Sequence, residues 1–152
     1  MRKHALILAY IIVGSVTTFA QAETNIKVIE YDDVNHICIK SNPKVKENFE
    51  KELTQQLNDM NIKTMGLAGA FAGECEYELH YTANWSWQVA LYVSYIELKV
   101  IRNRSIVGYA TYSTRDSITP IGKLGSTAAR ISELLEAMFV NHRLKEKGVK
   151  RV

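Results

Sequence analysis

Apolar and polar residues alternate most clearly between Glu74 and Trp87. Every second residue from Cys75 onward is apolar or aromatic, and the residues between them are polar. This alternation predicts a long strand with one buried and one solvated face. Shorter patterns predict a first strand or strand pair within Asn25–Lys40, a strand beginning at Ile62–Met65, and two more at Val89–Ile101 and Ile106–Thr114, joined by a hairpin turn at Asn103–Arg104.

Two other segments have helical periodicity. In the first, Asn42 is placed to cap a helix that begins at Pro43, and Asn61 is placed to end it in a left-handed conformation. The second begins at Ser126 or Thr127, either of which can cap it. Each has one apolar stripe, formed by Val45, Phe49, Leu53, Leu57 and Met60 in the first and by Ile131, Leu134, Leu135, Met138 and Phe139 in the second.

The order of these elements predicts the fold class. A strand, a helix, a run of strands and a final helix indicate an α+β domain. We expect an antiparallel or mixed sheet of about five strands, with two amphipathic helices packed on one face. Gly108 and Ala110 lie in the last predicted strand, where their small size leaves room for an element that packs closely against it.

Residues 1–22 have the pattern of a secretory signal peptide. A short basic start precedes an apolar run, and Ala20-Gln21-Ala22 then supplies the small residues that signal peptidase reads. The apolar run is short for a membrane-spanning helix, although an uncleaved anchor is the alternative. We therefore predict a single periplasmic domain over residues 23–152, with no transmembrane segment in the mature chain.

The formal net charge of +3 is unevenly distributed. Part of it belongs to the predicted signal, and a basic C-terminal tail, residues 140–152, carries Arg143, Lys145, Lys147, Lys150 and Arg151. Such a tail can make weak contact with anionic lipid headgroups at a membrane surface or with another acidic partner, or it is a frayed and solvated chain end. The nearly neutral body has no basic stripe, which argues against a nucleic-acid partner.

The two cysteines, Cys38 and Cys75, are expected to form a disulfide because the chain is predicted to be exported. The strand patterns raise one difficulty. Ile37 and Ile39 occupy the apolar side of their strand, so Cys38 points the other way, whereas Cys75 shares its side with the apolar Tyr77. Two cysteines on opposite faces of a flat sheet cannot be joined without backbone movement, and the conflict eases if Cys75 lies just outside the regular strand.

Glu76, Glu78 and His80 occupy alternate positions on the polar face of the long predicted strand. Two carboxylates and an imidazole on one side are suited to bind a divalent metal or to respond to pH, which makes a metal-dependent or hydrolytic envelope enzyme the alternative function. A solvated sheet face explains the same pattern without any site. The sequence indicates no cofactor and no catalytic residues, which favours a protein that is not an enzyme.

Trp85 and Trp87 lie near the end of the same predicted strand, where the alternation breaks down. Exposed aromatic surfaces commonly mark binding sites, so these two residues are the candidates for contact with a partner. The alternative is that they belong to the core, because aromatic residues favour strands and pack well beneath helices.

Five short motifs follow one another along the predicted mature chain. They are Cys38-Ile39-x-x-Asn42-Pro43-x-Val45, Cys75-x-Tyr77-x-Leu79-x-Tyr81-Thr82-Ala83, Trp85-x-Trp87, Gly108-x-Ala110-x-Tyr112 and Gly125-Ser126-Thr127. From about Ile37 to Phe139, the chain resembles a family of small, uncharacterised lipoproteins of Gram-negative bacterial envelopes. The resemblance implies an exported α+β domain and no known activity. The chain departs from that family because it lacks the cysteine that carries the lipid.

These observations favour an exported, periplasmic accessory or binding protein that is not an enzyme, and they leave its molecular function open. The expected partner is another envelope protein. It would bind the aromatic surface or the open face of the sheet, or add a strand to an unpaired sheet edge.

Overall fold

The computed structural model describes residues 23–31, 33–70, 74–87, 90–114 and 126–148, apart from the side chains of Glu47 and Glu146. The predicted signal peptide, the predicted loop 120–125 and the last four residues of the basic tail lie outside these ranges. Within them, no helix is long and apolar enough to cross a membrane.

Strands and helices follow one another along the described chain largely as the sequence predicts. They are β1 (Glu23–Lys27), β2 (His36–Lys40), α1 (Glu47–Asp59), β3 (Lys63–Gly66), a 3-10 turn (Leu67–Gly69), β4 (Glu78–Trp87), β5 (Leu91–Arg102), β6 (Ser105–Ser113), α2 (Thr127–Met138) and α3 (Val140–Glu146). The predicted hairpin turn is confirmed, since Asn103 and Arg104 have the positive φ angles, 50° and 63°, that a tight hairpin requires.

The strands form one mixed sheet in the order β1-β6-β5-β4-β2-β3. The four adjacent strands β1, β6, β5 and β4 pair antiparallel with one another, whereas β2 runs parallel to both β4 and β3. The predicted α+β class with a mixed sheet is therefore confirmed, with six strands rather than about five. The segment Asn25–Lys40 holds two strands that are not paired with each other, because β6, β5 and β4 lie between them.

Successive side chains along each strand point to opposite faces of this sheet. On the helix face, Leu79, Ile96 and Ala110 are buried, and so are the apolar stripes of α1 and α2. The two helices also contact each other, so both lie on one face as predicted. The opposite side, called the open face below, carries residues such as Thr82, Glu97 and Thr111, whose side chains are partly exposed.

The first helix begins later than the sequence predicts. α1 starts at Glu47, and its N-cap is Lys46, not Asn42. The Asn42 side chain is engaged elsewhere: its Oδ1 accepts from the Lys44 amide at 3.1 Å, and its Nδ2 donates to the Tyr81 carbonyl at 3.0 Å. Asn42 therefore closes a turn and ties it to β4. The predicted end is confirmed, because Asn61 has a φ of 59°.

The basic tail is not simply a frayed end. Val140–Glu146 forms the short helix α3, and His142 within it is only 4% exposed. The His142 ring Nε2 lies 3.1 Å from the Met60 carbonyl oxygen, and Asn141 Nδ2 donates to the Ile29 carbonyl at 2.8 Å. These contacts hold the first half of the tail against the domain, which corrects the frayed-end interpretation for that half.

Cys38 and Cys75 form the predicted disulfide, with a Cα separation of 5.7 Å. Cys38 is fully buried and points away from the side of β2 that carries Ile37 and Ile39. Cys75 precedes the first residue of β4, so it is not held to the alternation of that strand. The condition that the sequence sets for this bridge is therefore met.

Candidate functional site

The open face carries a network centred on the Glu97 carboxylate. Its Oε2 accepts from the Tyr95 hydroxyl at 3.2 Å and from the Tyr109 hydroxyl at 3.4 Å, while its Oε1 lies 2.7 Å from Lys99 Nζ. The pairing of β5 with β6 brings Tyr109 opposite Lys99. Burial, followed by the charge of Glu97, raises the pKa of Tyr95, so this phenol remains a neutral hydrogen-bond donor.

The three candidate metal ligands are held in two separate pairs. His80 Nε2 lies 3.1 Å from Glu78 Oε2 on the open face. Glu76 precedes β4 and pairs with the Arg102 guanidinium. Among the described residues, no group of three or more His, Cys, Asp or Glu side chains is arranged to hold a metal ion. Metal binding by Glu76, Glu78 and His80 stays a prediction.

Arg102 is also the centre of an aromatic cluster that the sequence does not reveal. Its guanidinium carbon lies 4.3 Å from the Tyr31 ring centroid and 5.0 Å from that of Tyr77. The Tyr77 hydroxyl donates to Asp33 at 3.3 Å. Burial, together with the charge of Asp33, raises the pKa of Tyr77 to about 12. The cluster fastens the segment before β2 to β4 and β5, which is a structural role.

The two tryptophans have different surroundings. Trp85 is partly buried, with its ring 6.0 Å from that of Phe49 on α1 and 4.9 Å from Lys46 Nζ. Trp87 is 73% exposed and is paired across the hairpin with Leu91, which is 53% exposed. Trp85 therefore contributes to the packing of α1, whereas Trp87 is available to a partner. Binding by either residue stays a prediction.

Two polar depressions flank the Ser41–Pro43 segment, where the chain leaves β2. The larger, about 580 Å³, is lined by Glu50, Lys51 and Thr54, and the smaller, about 400 Å³, by residues including Lys40, His80 and Lys99. Tyr81 contributes to both. Its hydroxyl donates to Glu50 and accepts from the Asn42 amide, and burial followed by the bond to Glu50 raises its pKa.

The edge of β4 is only partly covered. β2 pairs with β4 up to Lys40 opposite His80, but β4 continues to Trp87. Asn42 bonds to the Tyr81 carbonyl at the boundary. From Ala83 to Trp87, no strand in the described part of the chain pairs with this edge. The edge follows from the different lengths of β2 and β4, which the sequence pattern does not reveal.

Comparison with known proteins gives a likeness of fold. No protein-family model matches the chain, and no curated protein matches it. The solved PelC dodecamer from Paraburkholderia phytofirmans is 14% identical, and the match covers 78% of this chain and 98% of that one with a TM-score of 0.54. A variant of that dodecamer, 12% identical, covers 78% and 97% with a TM-score of 0.53.

A minor lipoprotein from Acinetobacter baumannii is a weaker match. It is 10% identical over 76% of this chain and 88% of that one, and its TM-score of 0.33 is too low to carry an argument. This chain is therefore similar in fold to PelC, at a level of identity that is informative about the fold alone.

Proposed function

We propose that this chain is a non-enzymatic accessory protein of the bacterial periplasm and that it works as an assembly of several copies. The observation that carries the proposal is that, besides the outer edge of β3, two strand edges have no partner strand in the described residues: β1 at one end of the sheet and Ala83–Trp87 of β4. Such edges are templates for pairing with another chain. The fold shared with PelC, whose solved structure is a dodecamer, supports the same conclusion.

The disulfide supports the periplasmic compartment. Bonds such as Cys38–Cys75 persist in the oxidising periplasm and are rare in the cytosol. Cleavage at the predicted site, before Glu23, is compatible with the fold, because all the described strands and helices lie within residues 23–148. Cleavage there would leave every described element intact.

The polar groups of the open face favour binding or assembly over catalysis. Glu97 is engaged by Lys99 and two tyrosines, and Glu78 by His80. The pKa of Tyr95 on the same face is raised, which moves it away from neutral pH. General acid–base catalysis near neutrality needs the opposite, a group whose pKa is close to 7.

Native mass spectrometry of the protein purified from periplasmic extract tests the proposal. We expect subunits that begin at Glu23 and a mass that is a fixed multiple of the subunit mass. A monomer at every concentration would overturn the assembly. Intact chains from Met1 to Val152, found only in the membrane fraction, would overturn the compartment.

A further inference from the structure

Two strand edges of this sheet have no partner strand among the described residues and face opposite directions. β1 has five residues, Glu23–Lys27, and among the described strands it pairs with β6 alone. The uncovered edge of β4, Ala83–Trp87, lies on the side of that strand that faces away from β1. Resting on the proposed assembly, we propose that β1 of one copy pairs with the Ala83–Trp87 edge of the next copy.

The backbone of β4 is oriented for this pairing. The Cys38 amide donates to the Tyr77 carbonyl at 2.9 Å, and the Asn42 side chain donates to the Tyr81 carbonyl. Alternate residues of β4 thus direct their backbone groups towards the β2 side. The bulge opposite Asn84 adds its extra residue to β5, so β4 keeps its alternation. Ala83, Trp85 and Trp87 therefore present backbone groups at the uncovered edge.

The side chains of the two edges are complementary. Thr24 and Ile26 of β1 pair with buried residues of β6 and so lie on the helix face, as Trp85 and Trp87 do in β4. Ile26 is 39% exposed, and pairing would place it beside the exposed Trp87 ring. On the open face, the uncharged Asn25 would meet Asn84 or Ser86, because cross-strand neighbours share a face.

The central residues of both edges lack the protection that sheet edges usually carry. Natural edge strands are blunted by charges, by proline or by being very short. β1 has charges at its ends but none at its three central residues, and Ala83–Trp87 has none at all. The third edge, β3, is shorter, with four residues that lead directly into the 3-10 turn. This contrast selects β1 and β4 as the interface.

Because the two edges are different surfaces, each copy binds its neighbours head to tail. A contact of this kind closes into a ring when the rotation between copies divides a full turn, and otherwise it extends into a fibre. A closed ring is the arrangement that the proposed assembly requires. The pairing would also cover the apolar side chains of Ile26 and Trp87 that the single chain exposes.

Engineered cysteines test the interface in the full mature chain. The two native cysteines are already joined, so an added pair reports a new contact. We expect Asn25→Cys combined with Asn84→Cys or Ser86→Cys to give a ladder of crosslinked multimers on mild oxidation. Each single variant should give no ladder. The matched control, Lys63→Cys on β3 combined with Ser86→Cys, should give none either.

The other outcomes distinguish this interface from the proposed assembly itself. Dimers from Asn25→Cys alone would mean that β1 pairs with β1, and would overturn the head-to-tail contact. Oligomers by native mass spectrometry, without a ladder from either double variant, would overturn the interface and leave the assembly intact. A monomer by native mass spectrometry would overturn both.

Discussion

Gly108 of β6 lies where Ile29 and Met138 press against the sheet. A Cβ atom at this position would lie 2.4 Å from Ile29 Cγ1 and 2.8 Å from Ile29 Cδ1. The space that the sequence predicts beside Gly108 is therefore filled by the Ile29 and Met138 side chains. The Ile29 amide also donates to the Met138 carbonyl at 2.9 Å, so Ile29 cannot move freely to make space.

We expect Gly108→Ala to lower the free energy of unfolding by about 1 to 3 kcal/mol, the usual cost of overfilling a packed core. Urea denaturation measures the change. Gly66→Ala is the matched control, because nothing lies within 4 Å of a Cβ at that strand position. If Gly108→Ala is as stable as the unmodified protein, the Ile29 side chain moves aside without lowering the free energy of unfolding.

Tyr77 should make the protein sensitive to alkaline pH. Its phenol has a pKa of about 12 in the fold, against an ordinary value of 10.0, so it stays protonated while the unfolded chain ionises. The resulting stabilisation is intact below pH 10 and is lost as the pH rises to 12. The loss is on the order of 2 to 3 kcal/mol.

Denaturation at pH 9 and at pH 11.5 measures this loss. Tyr77→Phe removes the ionisable group, so its stability should fall less than that of the unmodified protein between the two pH values. Asp33→Asn removes the charge that helps to raise the pKa, and should give an intermediate result. A Tyr77→Phe variant that loses as much stability as the unmodified protein would contradict the assignment.

At the scale of elements, Trp85 and Trp87 near the end of the β4–β5 hairpin have different surroundings, although the sequence groups them together. Trp85 packs against Phe49 and beneath Lys46 of the α1 N-cap, whereas Trp87 and Leu91 are exposed. We expect Trp85→Ala to cost about 2 kcal/mol of stability, less than a fully buried tryptophan, since the ring is only partly buried.

Thermal unfolding should therefore distinguish the two variants. Trp87→Ala should leave the melting temperature of the isolated subunit nearly unchanged, and it should weaken contact with a partner. If Trp87→Ala destabilises the subunit as much as Trp85→Ala does, the Trp87 ring is part of the core and not a binding residue.

Local patterns predict the strands, the hairpin turn and the two long helices because each depends on residues close together in the chain. The sequence does not indicate the late start of α1, because Asn42 bonds to Tyr81, a contact across 39 residues. The Glu97 network is not evident from the sequence for a related reason. Alternation places Tyr95, Glu97 and Lys99 on one face, but the position of Tyr109 depends on the β5–β6 register. The Arg102 cluster joins still more distant segments, and no local signal indicates it.

At the scale of the whole molecule, the disulfide fastens β2 to the segment just before β4, the strand that runs parallel to β2 beside it. Cys38→Ala combined with Cys75→Ala removes a bond that closes a loop across 37 residues. We expect a loss of about 2 to 4 kcal/mol, mainly because the unfolded chain gains freedom. Urea denaturation of the double variant measures it. Reduction of the unmodified protein should give a similar loss, and an unchanged midpoint in both would contradict a stabilising role.

The position of β1 has a consequence for the order in which the protein is completed. β1 is the first described strand to be synthesised, yet its partner β6 is the last, and the Lys27–Ile106 contact between them spans 79 residues. Both edges of the N-terminal strand therefore remain unpaired until nearly all of the sheet has been synthesised. Pairings across such distances form slowly and leave unpaired strands open to wrong partners. During this interval, a newly made chain that meets other copies would exchange β1 with them. We therefore expect high expression to favour misassembled chains in which β1, the first five residues of the fold, is paired with the wrong copy.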